Sequence, residues 1–453
     1  MSDPDAADGP APDDRAQDAR APHARDESGL RVGERLELTV GDPAHGGACV
    51  ARHEGRVVFV RHAAPGERVV ARVTSVRSRL AFADAVEVLE RAPDRVEPPC
   101  ALARPGGCGG CDLQHLALPA QRSWKASVVA EQLRRLAHLD VDVVVEPVPG
   151  DADGLDWRTR VHWATRADGR LGLRRFRSHA VIAVEDCPIA HPGLPPVTRQ
   201  RWPGTTGVRA IRSSGGQRLA VAEPSGAPQR TRIPTDVDAD GVVVDGGGRR
   251  RGRGHVTESA AGRHWRVSGS GFWQVHPGAA ELFAGTVLEM LAPATGESVW
   301  DLYSGVGLFA GTLAELVGDT GSVVAVEGSR PAVADARRNL HDLVRVRVVH
   351  APVERALAGA VGGPRADRIA GPVDLVVLDP PRTGAGAAVV RAIAAAGPRA
   401  VAYVACDPAA LARDLATFAA ADYRLEQLRA FDAFPMTHHV ECLAHLVPAG
   451  TDS

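Results

Sequence analysis

From Arg31 to about Ala92 apolar and polar residues alternate in short runs: Arg35-Leu-Glu-Leu-Thr-Val40, Arg56-Val-Val-Phe-Val60, Arg68-Val-Val-Ala-Arg-Val73 and Ala85-Val-Glu-Val-Leu89. A period of two marks half-buried strands, and the Gly, Pro and Asp between them mark turns, so residues 31–92 predict a small β-barrel. Residues 121–138, starting Gln121-Arg-Ser-Trp-Lys, change to helical spacing with Val128, Leu133 and Leu136 on one face. Segments 158–163, 171–177 and 181–185 read as antiparallel strands, whereas residues 224–254, ending in Gly246-Gly-Gly-Arg-Arg-Arg-Gly-Arg-Gly254, lack apolar periodicity and read as a flexible loop. From Glu281 onward Ala- and Leu-bearing helical stretches alternate with buried strands at 298–302, 321–326, 346–349, 373–378, 399–405, 423–431 and 440–446. That alternation predicts an α/β domain, a Rossmann-like doubly wound and mostly parallel sheet.

The 453 residues suffice for about three domains. With 44% apolar and 24% charged residues the composition is that of a globular protein. No apolar run reaches membrane-spanning length, and the first residues lack the pattern of a secretory signal, so the expected location is cytoplasmic, with no membrane partner and a monomeric state. Residues 1–28 carry eight acids against three arginines and predict a disordered acidic tail. The net charge of −2 is uninformative, but residues 156–270 hold twenty Arg against ten acids, an excess able to steer a phosphate backbone. Because Lys125 is the single lysine, part of that excess is a chain-wide preference for Arg.

Cys100, Cys108 and Cys111 cluster as C-x7-C-x2-C within a glycine-rich stretch, and Cys187 follows 76 residues later. This spacing points to a metal or iron–sulfur centre in a reducing compartment rather than to disulfides. Glycines 106, 107, 109 and 110 allow tight folding around such a centre and let amides face thiolate sulfurs. The ligand types alone suit either zinc or a cubane cluster.

Cys406 lies in Tyr403-Val-Ala-Cys-Asp-Pro408, downstream of the glycine turn Asp301-Leu-Tyr-Ser-Gly-Val-Gly-Leu-Phe309 and of Asp379-Pro-Pro-Arg382. A lone cysteine in an apolar strand is usually inert packing. Here Asp407-Pro408 turns the chain out of the strand and places the thiol at its carboxyl end, where open α/β sheets bind ligands. Glu327 ends the next strand twenty residues beyond Gly307, as an acceptor for ribose hydroxyls would. The turn is shorter than a dinucleotide-binding one, which favours a nucleoside cofactor without a pyrophosphate; S-adenosylmethionine fits best.

In this order the motifs resemble those of the RNA uracil-C5 methyltransferases, which make 5-methyluridine in transfer and large-subunit ribosomal RNA. The resemblance covers about residues 31–447. It identifies residues 31–92 as a TRAM barrel, an OB-like RNA-binding module, residues 93–266 as a central α+β iron–sulfur domain with the insert 224–254, and residues 267–453 as the methyltransferase domain. It implies that Cys100, Cys108, Cys111 and Cys187 ligate a [4Fe–4S] cluster, with zinc as the lesser alternative, although the first spacing is two residues longer than usual. Phe272-Trp-Gln-Val-His276 is similar to the family's F-x-Q-V-N, with His276 in place of Asn, and Asp301 to Gly307 to D-L-Y-C-G-x-G, with Ser304 in place of Cys. Asp432-Ala-Phe-Pro-Met-Thr-His-His-Val-Glu441 also resembles a family motif. By this resemblance Gln274, Tyr303, Glu327 and Asp379 bind S-adenosylmethionine, Cys406 is the nucleophile and Glu441 the base. Leu308 stands where some members carry a polar side chain.

The chemistry explains the set. Uracil C5 is too weak a nucleophile to attack a sulfonium methyl until a thiolate has added to C6, and the C5 proton must leave before the thiol can. His438 and His439 are alternatives to Glu441 as the base, and Arg382 suits a carbonyl oxygen or a thiolate. The target uridine must be single-stranded or flipped out of a helix, and the barrel and cluster favour 23S ribosomal RNA over tRNA. RNA cytosine-C5 methylation also uses a cysteine adduct, but Asp379-Pro-Pro-Arg382 lacks the Cys after Pro that those enzymes carry. Amino-group methyltransferases need no Cys406 and place an aromatic where Arg382 stands. A non-catalytic RNA-binding or RNA-folding protein would not need Cys406 and Glu441.

Overall fold

The computed structural model of the chain describes residues 30–248, 250–358, 369 and 371–450, so the expected tail over 1–28 lies outside the described residues. Two compact units are present. One comprises the chain up to Val128 with Leu173–Ile182 and Pro435–His438, and the other Val129–Gly172, Ala183–Phe434 and the chain from His439.

The first unit holds the expected β-rich module, a six-stranded sheet in the order Arg35–Thr39, Arg68–Val76, Leu80–Glu90, Arg56–Arg61, Ala48–His53 and Pro43–Ala44. Pairing is antiparallel except between Arg56–Arg61 and Leu80–Glu90. Leu36, Leu38, Val58, Val60, Val69, Ala71, Val73, Ala81 and Ala83 are buried on one face, the outcome of the period of two. Their core also takes in Leu113, Leu116, Trp124 and Val128, so this unit extends beyond residue 92 into the helix Leu118–Gln132. Inside the unit Glu67 is fully buried and takes two hydrogen bonds from Arg95, at 2.5 and 2.7 Å, and one from the Ala64 amide at 2.8 Å, which satisfies its charge.

The second unit is built on an eight-stranded sheet. Its main strands are β1 (Ser298–Leu302), β2 (Ser322–Glu327), β3 (Val346–His350), β4 (Leu375–Leu378), β5 (Ala400–Ala405), β6 (Tyr423–Asp432) and β7 (Glu441–Pro448). The order is β3-β2-β1-β4-β5-β7-β6, with the short strand Val145–Pro147 added parallel to β6. Strands β1 to β5 pair in parallel and β7 runs antiparallel between β5 and β6. Helices α1 (Ala279–Leu291), α2 (Leu308–Val317), α3 (Arg330–Asn339), α4 (Val353–Leu357), α5 (Ala387–Ala396) and α6 (Pro408–Ala419) connect or precede these strands. The sequence order reverses between β1 and β4, the switch point at whose carboxyl ends open α/β sheets bind ligands.

The unit's core crosses the boundary expected at 266/267, because Trp265 is fully buried and clusters with Leu219, Val221, Phe283, Leu313 and Leu340. Segment 224–254 departs from the expected loop. Gly241–Val244 forms a strand parallel to Arg218–Pro224, with Val242 and Val244 buried, and Arg250–Gly252 pairs back on it. Three valines between an aspartate-bearing stretch and a glycine- and arginine-rich one are too few to register as a period, and their partner Arg218–Pro224 comes from earlier in the chain. Among the described residues no helix is long and apolar enough to cross a membrane.

Candidate active site

At the end of β1 the chain enters the left-handed region at Tyr303 (φ 64°), a strained conformation for a tyrosine of the kind held at functional sites. Gly307, at φ 96°, opens α2, and a Cβ there would lie 2.7 Å from Leu340 Cδ1, so only glycine fits. Asp301 is fully buried; its Oδ2 accepts the Ala310 amide at 2.8 Å and its Oδ1 has no hydrogen-bond partner among the described residues. Burial pushes this carboxyl up to about 8 against the pull of the Ala310 amide, with Asp379 and Glu327 adding to the rise. Glu327, at the end of β2, accepts the Gly305 amide at 3.0 Å and the Ser329 amide at 2.5 Å, which hold both its oxygens at the mouth of the turn. Burial raises its pKa despite those amides.

Asp379 follows β4, whose register pairs Leu302 with Leu378, so it stands beside the glycine turn. Withdrawal from water and the Glu327 charge push it up to about 7. Tyr303 donates to Glu354 Oε1 at 3.4 Å, and burial raises its phenol. Gln274 is 9% exposed. Its segment is clamped where the Thr159 amide and hydroxyl donate to the Val275 carbonyl, at 2.9 and 2.8 Å. The expected cofactor residues thus sit on one structural unit, where crowded carboxyls favour a ligand bringing positive charge and hydroxyl donors. His276, the departure from Asn, is buried against Trp157 with ring centroids 6.1 Å apart. Its Nδ1 accepts the Gly278 amide at 3.2 Å, and burial lowers its pKa to about 4, so it is neutral at pH 7.

The register Ala405↔Cys442 between β5 and β7 sets Cys406 beside Glu441, thiol and carboxyl from adjacent strands. Asp407 caps α6 by accepting the Ala410 amide at 2.8 Å, and Pro408 opens the helix, so Cys406 lies at the positive end of α6. The thiol pKa is nevertheless raised, first by burial, then by the Glu441 and Asp379 charges, while Arg382 pulls it down. Glu441, 3% exposed, is itself pushed well up by burial and by Asp379, with Arg382 opposing. Burial thus favours the neutral form of both groups, and the Arg382 cation favours the charged form of either. Arg382 Nη2 lies 3.4 Å from His439 Nε2. His438 Nδ1 is engaged by Asp112 Oδ2 at 2.5 Å within the first unit. Cys442 is fully buried in β7, and burial holds its thiol protonated.

One tie was not legible from the motifs. Asp414 of α6 accepts the Tyr403 hydroxyl at 2.7 Å and the Ala385 and Gly386 amides at 2.8 and 3.2 Å. It thereby pins the loop bearing Arg382 to the strand that ends at Cys406. An Asp on a helix next to Arg413 looks like a solvated position, and only the fold brings it to the loop.

Cys100, Cys108 and Cys111 belong to the first unit and Cys187 to the second, and none forms a disulfide. Among the described residues no group of three or more His, Cys, Asp or Glu converges on a metal position. The loop itself suits thiolate ligands: Gly110 N–H points at Cys108 Sγ at 3.4 Å, and a Cβ on Gly109 would meet the Phe176 backbone at 2.7 Å.

The sheet order, the glycine turn and the acid closing β2 define an α/β methyltransferase fold. A solved structure with this fold, the Pyrococcus abyssi tRNA (uracil-54, C5)-methyltransferase in complex with S-adenosyl-L-homocysteine, matches 91% of this chain and 99% of its own at a TM-score of 0.67 and 22% identity. The model of the tRNA (Uracil-5-)-methyltransferase family matches residues 263–448, and that of the TRAM domain matches residues 29–86. An uncharacterized RNA methyltransferase of Streptomyces avermitilis is 48% identical over 92% of this chain and 99% of its own. The 23S rRNA (uracil(1939)-C(5))-methyltransferase RlmD of Pseudomonas entomophila is 33% identical over 92% and 94%. The chain belongs to the RNA uracil-C5 methyltransferase family and is an RNA methyltransferase.

Proposed function

We propose that the protein methylates C5 of a uridine in 23S ribosomal RNA through a covalent adduct between Cys406 and C6 of the base. The observation that carries this reading is the β5–β7 register, which sets the Cys406 thiol beside the Glu441 carboxyl at the carboxyl edge of the sheet. S-adenosylmethionine supplies the methyl group as a sulfonium, and the carboxyls of Glu327 and Asp379 at the ends of β2 and β4 suit its positive charge and ribose hydroxyls. Gln274, Tyr303, Glu327 and Asp379 hold it. The Cys406 thiol loses its proton to solvent and the thiolate bonds to C6, pushing the C5–C6 π electrons toward the C4 carbonyl. C5 then takes the methyl carbon as the sulfonium carbon–sulfur bond breaks. Glu441 removes the C5 proton, the C5–C6 double bond re-forms, and Cys406 leaves as thiolate. Arg382 stabilises negative charge on the thiolate or on the base carbonyl.

The ribosomal target is supported by the RlmD relative, which aligns along nearly the whole chain. Methyl incorporation from radiolabelled cofactor, with 5-methyluridine mapped in total RNA from a deletion strain, tests the reading. Loss of one 5-methyluridine from 23S RNA is expected. Loss from transfer RNA would move the substrate, and loss of a 5-methylcytidine would replace uracil by cytosine.

The proposal includes a [4Fe–4S] cluster on Cys100, Cys108, Cys111 and Cys187, supported by their spacing and by the tight loop with its amide facing Cys108. Protein purified without air is expected to be brown, with about four irons and four sulfides per chain, and Cys108→Ser or Cys187→Ser to be colourless. Cys49→Ser should keep the colour. Stoichiometric zinc without acid-labile sulfide would reject the cluster in favour of a zinc site.

A further inference from the structure

On the first unit Phe59 and Phe82 stand in register on neighbouring strands, with ring centroids 5.5 Å apart and planes 24° from parallel. Their neighbours Val58, Val60, Ala81 and Ala83 are the buried positions, so the two rings lie on the face opposite the core and are only partly covered. The Arg77 guanidinium lies 5.7 Å from the Phe82 centroid and that of Arg177 5.4 Å. Arg177 also lies 5.2 Å from the Phe176 ring, against which Arg61 packs at 3.3 Å. Arg77 and Arg177 are exposed, as are Arg174 and Arg175 on the same hairpin.

A ring that served only to stabilise the module would point into its core, as Val58 and Val60 do. Outward aromatic faces flanked by planar cations offer a surface for a π-faced anionic polymer: a base stacks on the rings and phosphates meet the guanidinium groups. Duplex RNA offers no free base face, so the matching ligand is an unpaired stretch. We propose that Phe59 and Phe82, with Arg77 and Arg177, form a stacking platform for an unpaired base of the RNA substrate other than the base that is methylated. The proposal rests on the reading of the protein as an RNA methyltransferase and adds a base-stacking subsite to it.

The test is a fluorescence titration of the full-length protein with a short unstructured RNA carrying 2-aminopurine, at several salt concentrations. Wild type should bind and change the fluorescence as the base stacks. The double variant Phe59→Leu/Phe82→Leu keeps apolar bulk but has no π face. It should bind about tenfold more weakly, lose the fluorescence change and keep the salt slope. Arg77→Gln/Arg177→Gln, at two exposed positions, should lower the slope of log affinity against log salt by about one per arginine. Wild-type binding without a fluorescence change, leucine variants that bind and report like wild type, or an unchanged slope in the arginine variant would each overturn the proposal. Protein that stacks the probe but transfers no methyl to uridine would break the functional reading and leave the platform standing; methylation without stacking would do the reverse.

Discussion

Cys406→Ala is expected to lose all measurable methyl transfer while binding S-adenosylmethionine within a few-fold of wild type. The thiol supplies the covalent activation of the base, and the carboxyls of Glu327 and Asp379 are untouched by the change. The measurement is a radiolabelled methyl-transfer assay beside a calorimetric cofactor titration. Turnover near the wild-type rate would eliminate the adduct mechanism. The same thiol makes a pH prediction. Burial and the Glu441 and Asp379 charges raise its pKa, so the thiolate fraction is small at neutral pH and grows as pH rises. Alkylation of Cys406 by iodoacetamide in the free protein should therefore accelerate steadily into the alkaline range. Arg382→Ala, which removes the opposing cation, should slow it at every pH.

Glu441→Gln separates two roles of one carboxyl. As the group that takes the C5 proton, Glu441 acts after methyl transfer, so its loss should slow release of the methylated adduct by about 10²–10⁴-fold more than formation. A protein–RNA band that survives a denaturing gel is the expected sign. As a neighbouring charge, however, Glu441 holds the Cys406 pKa up once it is ionised. The amide variant should therefore alkylate faster than wild type at alkaline pH even as its turnover falls. A variant that traps no RNA and keeps its activity would leave His439, beside Arg382, as the better base.

These two residues also mark how far the sequence could be read. The strands that carry the site were legible because each is a short apolar run ending at a turn: Ala400–Ala405 before Asp407-Pro408, and Ser322–Glu327 before Gly328. Local chemistry sufficed there, since a helix cap of Asp followed by Pro stops a strand wherever it occurs. The strand Gly241–Val244 was not legible, because three valines ahead of a glycine- and arginine-rich stretch become a strand only beside Arg218–Pro224. Asp414 was missed for a related reason: its three donors, Tyr403, Ala385 and Gly386, come from two other segments.

The sequence by itself determined the element types, the parallel α/β class, the motif residues and the module preceding them, since hydrophobic period, glycine turns and caps act over a few residues. The tertiary structure decided what depends on distant partners. It set the β5–β7 register that brings Cys406 beside Glu441, withdrew Asp301 and Asp379 from water so that their carboxyl pKa values rise, and faced Phe59 and Phe82 outward beneath Arg177 from a distant hairpin. Proton affinity and orientation follow from burial and neighbouring charge, and those exist only once the chain has folded.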